Sequence, residues 1–259
     1  LREEREFRKV FDISRTTFKM TIFLSDLHLA AKKSKAEHIS KFLSQYKKHD
    51  LVLVGDIIDI WRFRQAFSFS KKTSNIHVDC IRKILKHKSV KYVWGNHDEF
   101  LERFEGSFGN IETMERYEYT CSLGKRYLVI HGHQFDLMNR HPWLCKLGDR
   151  GYDLCIFLNE HMNRIRRLFG LKYWSISKYV KVRFKRASMM LENYEKTLSF
   201  YAKANEYDGI ICGHIHDPKD TYISGIHYLN CGCWTDEENL TYLIDEGNGI
   251  VLRRFSFEN

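Results

Sequence analysis

The sequence predicts an α/β fold: a parallel sheet, then a helical insertion, then a β-rich close. Three observations predict it. Between residues 20 and 96, apolar strand-like runs alternate with amphipathic helical patterns. From 137 to 205 the spacing is helical, with no clear strand. From Thr221 to Phe257, short strand-like runs are separated by turns containing Gly. Strands that alternate with helices make βαβ units, and such units build parallel sheets.

MTIFLSD (Met20–Asp26) reads as a buried strand that runs into polar residues. Ser34–Lys48 has helical spacing, with Ile39, Phe42, Leu43 and Tyr46 on one face. DLVLVGD (Asp50–Asp56) is the second strand, and Asn75–Lys88 the second helix, with Ile76, Cys80, Ile84 and Leu85 apolar. VKYVWGN is the third strand. YEYTCSL and KRYLVIHG follow as a strand pair. After the helical insertion, YDGIICGH returns to strand. At 259 residues the chain suits one domain, 1–259, with 137–205 inserted within it.

Composition narrows the class. With 43% hydrophobic residues the chain can bury a sizeable core, and with 2 prolines it has little linker character. No run approaches the roughly 18–20 apolar residues of a membrane span. LREEREFRKVF at the start lacks the apolar centre of a signal peptide. The 7 cysteines are scattered, with no CxxC pair, which predicts a reduced, cytoplasmic setting. Cys231 and Cys233 form a CxC pair, weak as a soft metal-ligand signal on its own.

The net charge of +9 has a location. Residues 140–205 hold 14 of the 42 Lys and Arg but 5 of the 33 Asp and Glu, so this segment carries the whole excess. It should face something anionic: phosphate, nucleic acid or an acidic membrane surface. Ser175–Phe200 reads as an amphipathic helix, with Ile176, Val180, Phe184, Ala187 and Leu191 on one stripe and Lys178, Lys181 and Lys185 opposite. Those three lysines are candidate substrate-binding residues. No RNA- or DNA-binding motif accompanies them, which ranks nucleic acid below the other anions.

Ligands in open α/β sheets bind beyond the carboxyl ends of the strands. Five strand ends here carry polar groups: Asp26-Leu27-His28, then Asp56 with Asp59 one turn on, then Asn96-His97-Asp98, His131-Gly132-His133 and His214-Ile215-His216. A single DxH or HxH pair is commonplace. Five ends bearing carboxylate, imidazole and amide groups point to metal. Oxygen and imidazole ligands without thiolate suit Mn, Fe, Zn or Mg. Seven candidate ligands exceed the needs of one ion. Two ions roughly 3.5–4 Å apart activate water and clamp a phosphoryl group.

The set SDLHL, GDIID, GNHDE, HGH and GHIH resembles the calcineurin-like metallophosphoesterases, and the resemblance covers nearly all the chain. It implies a two-layer β-sandwich flanked by helices and a helical cap insertion at 137–205. It implies one metal on Asp26, His28 and His216, a second on Asn96, His131 and His214, and Asp56 bridging. His97 would face the substrate phosphate as a catalytic group, and Asp98 would hold its imidazole. The cofactor expected is two divalent ions, Mn first.

Longer stretches, GDIIDIWRFRQAF, LGDRGYD, LNEHMNRIRRLFG, YWSISKYVK and CGHIHDP, are similar to a bacterial group related to UDP-2,3-diacylglucosamine pyrophosphohydrolase of lipid A synthesis. That similarity implies hydrolysis of the pyrophosphate of a lipid-linked sugar nucleotide, giving UMP and a diacylated sugar 1-phosphate. It also fits a place on the inner face of the membrane, through the basic cap. Three positions depart from that group's pattern. His97 stands where the pathway's enzymes carry Arg, and His133 where relatives often carry Asp. Asn230–Trp234 reads NCGCW where NTGDW is frequent. The carboxylates replaced at His133 and Cys233 change the charge around the site.

Overall fold

The computed structural model describes residues 20–60, 71–135, 192–237 and 240–256. The core of the expected insertion, 136–191, lies outside the described residues, and Lys178, Lys181 and Lys185 with it.

Strands β1 (Thr21–Leu24), β2 (Asp50–Val54) and β3 (Val90–Val93) pair in parallel, with helix α1 (Ala36–Gln45) between the first two and α2 (Lys71–Leu85) between the second and third. These are the predicted βαβ units; the strands and α1 fall a few residues short of their predicted bounds, while α2 starts before the predicted Asn75 and stops before the predicted Lys88. The alternation of side chains along a strand explains the layers. In β1, Ile22 and Leu24 turn towards the helices and pack with Ile39, Phe42 and Leu43 of α1 and with Cys80 and Ile84 of α2. Phe23 turns the other way.

The far side of that sheet meets a second one. Two strands absent from the sequence reading, β4 (Gly106–Phe108) and β5 (Ile111–Met114), extend the first sheet beyond β3. β6 (Tyr117–Thr120) and β7 (Arg126–Val129) form the expected antiparallel pair. They belong to a five-stranded sheet ordered β6-β7-β8-β10-β9, where β8 is Gly209–Cys212, β9 Lys219–Ile223 and β10 Ile226–Asn230. β11 (Thr241–Asp245) and β12 (Ile250–Arg254) return to the first sheet, making its order β12-β11-β1-β2-β3-β5-β4.

Between the sheets lie Phe23, Val52, Val54, Val93 and Leu243 from one side and Tyr127, Val129, Ile211 and Leu229 from the other, all buried. A third helix, α3 (residues 192–204), covers the outer face of the second sheet through Tyr194, Leu198 and Ala202. The architecture is therefore helix, sheet, sheet, helix. It is the β-sandwich flanked by helices that the motifs implied. The central strands β1, β2, β3, β8, β10 and β11 bury both faces, which is why their runs read as continuously apolar, whereas β6 and β9 alternate with exposed residues. Among the described residues, no helix is long and apolar enough to cross a membrane.

Candidate metal centre

The five polar strand ends converge, but they come from two sheets. β1, β2 and β3 of the first sheet deliver Asp26 and His28, Asp56, and Asn96 with His97. β7 and β8 of the second deliver His131, and His214 with His216. Backbone bonds bind the loops together: Asp26 N–H donates to Gly55 O (3.0 Å), His28 N–H to Asp56 O (2.9 Å) and Gly213 N–H to His131 O (3.1 Å). Several bonds join the sheets directly, among them the one from His214 N–H to the Asp26 carboxylate (3.0 Å).

Local strain marks the same residues. Eight described residues other than glycine have positive φ, and five of them are candidate ligands: Asp26, His28, Asp56, His214 and His216. Left-handed backbone is costly for such residues, and clusters of it occur at functional sites. Here it turns each side chain inward just past its strand. Gly95 completes the packing. A Cβ there would strike the Asp56 carboxylate and come within 2.6 Å of Asp56 N.

Side-chain geometry forms three overlapping groups. Asp26, His28 and His216 offer ligand atoms within 4.8 Å of one another, as do Asp26, Asp56 and His131, and also His28, Asp59 and His97. His216 Nε2 is 3.0 Å from Asp26 Oδ1 and 3.3 Å from His28 Nε2. His131 Nδ1 lies 2.9 Å from the carbonyl of Val54. A carbonyl can only accept, so Nδ1 carries the proton and Nε2 faces the site, 3.4 Å from Asp56 Oδ1. The His214 ring stands 5.2 Å from that of His131, centre to centre.

The electrostatics ask for positive charge. Asp26 and Asp56 are both buried. Burial alone would raise their carboxyls, yet the neighbouring histidines bring both below the usual carboxylate range. Burial opposes charge on His131, but Asp56 outweighs it and lifts the imidazole to about 9. His216 is likewise opposed by burial and lifted to about 10, first by Asp26 and then by Cys233. His28 is pushed down to about 4 by burial. His133 also falls to about 4, through burial and the neighbouring His131 and His214. Asn96 Oδ1 is buried with no hydrogen-bond partner. An orphaned amide oxygen, two buried carboxylates and inward-facing imidazole nitrogens fit divalent cations, with oxygen and nitrogen donors only. Cys231 is wholly buried, and burial pushes its thiol far up. It joins no such cluster among the described residues, and neither does Cys233.

The role expected for Asp98 is corrected. Its carboxylate does not reach His97. It accepts hydrogen bonds from the backbone N–H groups of Asp56 (3.3 Å), Ile57 (2.7 Å) and Gly95, and from the Tyr92 hydroxyl (2.6 Å). Burial, with the nearby Asp56 charge, raises this carboxyl. Asp98 thus anchors the loop that carries Asp56. The carboxylate beside His97 belongs to Asp59, 3.2 Å from Nδ1 and also 3.8 Å from His28 Nδ1. Its sequence signal was the second Asp of GDIID, visible one turn after Asp56 but without an assigned role. His97 is partly exposed, and its backbone N–H donates to Asp56 Oδ1 (2.8 Å).

Residues 20–218 match the family described as Calcineurin-like phosphoesterase. No curated protein matches the chain. Among solved structures, an archaeal phosphodiesterase is 12% identical, with 90% of this chain and 98% of that one covered and a TM-score of 0.43. Yfce, a phosphoesterase from E. coli, is 13% identical over 92% and 100%, with a TM-score of 0.42. A predicted phosphoesterase from Streptococcus pneumoniae is 16% identical over 87% and 82%, with a TM-score of 0.38.

Proposed function

We propose, from the premise that the chain belongs to the calcineurin-like phosphoesterase family, that it is a dimetal hydrolase of the pyrophosphate bond in a lipid-linked sugar nucleotide. UDP-2,3-diacylglucosamine is the substrate we favour, with UMP and a diacylated sugar 1-phosphate as products. The observation that carries the phosphoester chemistry is the convergence of carboxylates and imidazoles from five strand ends. The lipid-linked substrate is supported by the longer motif similarity and by the +9 confined to residues 140–205. That basic excess also supports docking on an anionic membrane face.

Asp26, His28 and His216 would hold one divalent ion, and Asn96, His131 and His214 a second, with Asp56 shared; Mn is the first choice. Bound ions supply Lewis acidity and a water nucleophile at neutral pH. The chain's own residues do the rest. Val54 O fixes the His131 tautomer, and the His97 N–H fixes one oxygen of Asp56. His97 Nε2, 3.8 Å from Asp56 Oδ2, would steady charge on the phosphoryl group or protonate the leaving oxygen. Asp59, wholly buried, orients that ring from behind.

The test is turnover of UDP-2,3-diacylglucosamine by Mn-replete protein, for wild type and Asp56→Ala, beside a generic phosphodiester. UMP release that depends on Asp56 supports the proposal. Hydrolysis of the generic ester alone would reject this substrate and keep the metal centre.

A further inference from the structure

Next to the metal centre is a cavity of about 470 Å³ that the chemistry above does not use. Asn96 and His97 form one wall, and Ile60, Phe100, Arg103 and Phe104 line it further out. Its volume falls in the range of small-molecule sites, roughly 300–1,000 Å³. Phe100, Arg103 and Phe104 sit on one 3-10 turn, Glu99–Phe104, that starts directly after Asp98. On such a turn, side chains three apart eclipse one another, so Phe100 and Arg103 line up on one edge.

Exposure makes this arrangement unusual. Eight large hydrophobic side chains are exposed among the described residues, and three of them are here: Ile60 at 38%, Phe100 at 39% and Phe104 at 66%. Scattered singly, such residues need no explanation. Gathered on a concave wall beside a reactive histidine, they mark a binding surface. Charge says what kind. Glu99 and Glu102 also line the cavity, so an additional anionic group is disfavoured there, and Arg103 offers one counter-charge.

We infer that this cavity is a specificity subsite for an uncharged apolar group, alkyl or aryl, esterified to the phosphorus that His97 faces. The inference rests on the phosphoesterase reading, but it does not need the sugar-nucleotide substrate. It makes the enzyme select diesters with an apolar arm over diesters without one.

The experiment uses the full chain with Mn and three diesters of thymidine 5′-phosphate, whose second ester is methyl, hexyl or phenyl, with the products resolved by chromatography. Wild type should favour the hexyl or the phenyl ester over the methyl one by at least about tenfold in kcat/KM. Phe104→Ala should remove most of that preference, mainly through KM, and leave the methyl ester within about twofold. Phe104→Leu should recover the hexyl ester. A preference for hexyl identifies a lipid-like arm, and one for phenyl a ring; either supports the subsite. Equal turnover of all three esters, or an equal loss on all three in Phe104→Ala, overturns the subsite alone. No Mn-dependent turnover of any of the three, nor of bis(p-nitrophenyl) phosphate, overturns the phosphoesterase reading and the subsite with it; turnover of bis(p-nitrophenyl) phosphate alone overturns only the subsite.

Discussion

Replacing Asp98 by Asn tests whether this residue is an anchor or a catalytic partner. The carboxylate receives four donors: three backbone N–H groups, from Asp56, Ile57 and Gly95, and the Tyr92 hydroxyl. Asn keeps one acceptor oxygen and turns the other into a donor, which leaves two of the four without a partner. A buried donor deprived of its acceptor costs about 1–3 kcal/mol. The Tyr92 hydroxyl can rotate to accept from the new amide, which offsets part of the loss. The expected destabilisation is about 2–4 kcal/mol, against a total stability of about 5–15 kcal/mol. Urea unfolding measures it as a lower midpoint at constant slope. Activity should fall too, because Asp56 and Ile57 lose their tether. A variant within about 0.5 kcal/mol of wild type that has nonetheless lost kcat would refute the reasoning. Asp98 would then be a partner of His97 after all.

Three further outcomes are expected. Asp59→Asn should lower kcat about 100-fold with a smaller effect on KM, since it removes the carboxylate behind His97; steady-state kinetics showing an unchanged kcat would discard that role. Gly95→Ala should cost about 1–3 kcal/mol by chemical unfolding, because the new Cβ meets the Asp56 carboxylate and, at 2.8 Å, the His131 ring; a neutral result would mean the loop can yield. Asp245 is buried and accepts from Ser122 N–H (2.7 Å), Ser122 Oγ (2.6 Å) and Tyr119 OH (2.8 Å). Burial alone would raise its carboxyl, but these bonds prevail and depress it below its unfolded value. Its contribution is therefore complete above the unfolded pKa, about 3.9, and is lost as pH falls through the lower folded value. Asp245→Asn should reduce stability at neutral pH and flatten the acid limb of stability against pH; an unchanged limb would show that Asp245 is not coupled to folding.

Much of the site could be read from the chain because strand ends are sequence-local. A run such as YVWGNH ends a buried strand and must place its next residues at a rim, so Asp26, Asp56, Asn96, His131 and His214 were nameable from position alone. What adjacency could not give was direction. Asp98 follows His97 directly, yet its side chain folds back to Gly95 three residues earlier and to the end of β2. Asp59 lies far along the chain from His97 and arrives beside it through the packing of the two loops. The rim also belongs to two sheets, which no strand pattern reveals by itself. β4 and β5 leave little trace in the sequence, because GSF and IETM are short and their neighbours are polar. The excess charge of residues 140–205 was countable, but its placement depends on tertiary packing that composition does not encode.

The most direct test of the central claim is a Mn titration of metal-stripped protein, followed by hydrolysis of bis(p-nitrophenyl) phosphate. The account predicts two ions bound per chain. Turnover should vanish with a chelator, return with Mn and fall by about 1,000-fold in Asp56→Ala. An absence of ion binding, or turnover that survives both the chelator and the loss of Asp56, would contradict it.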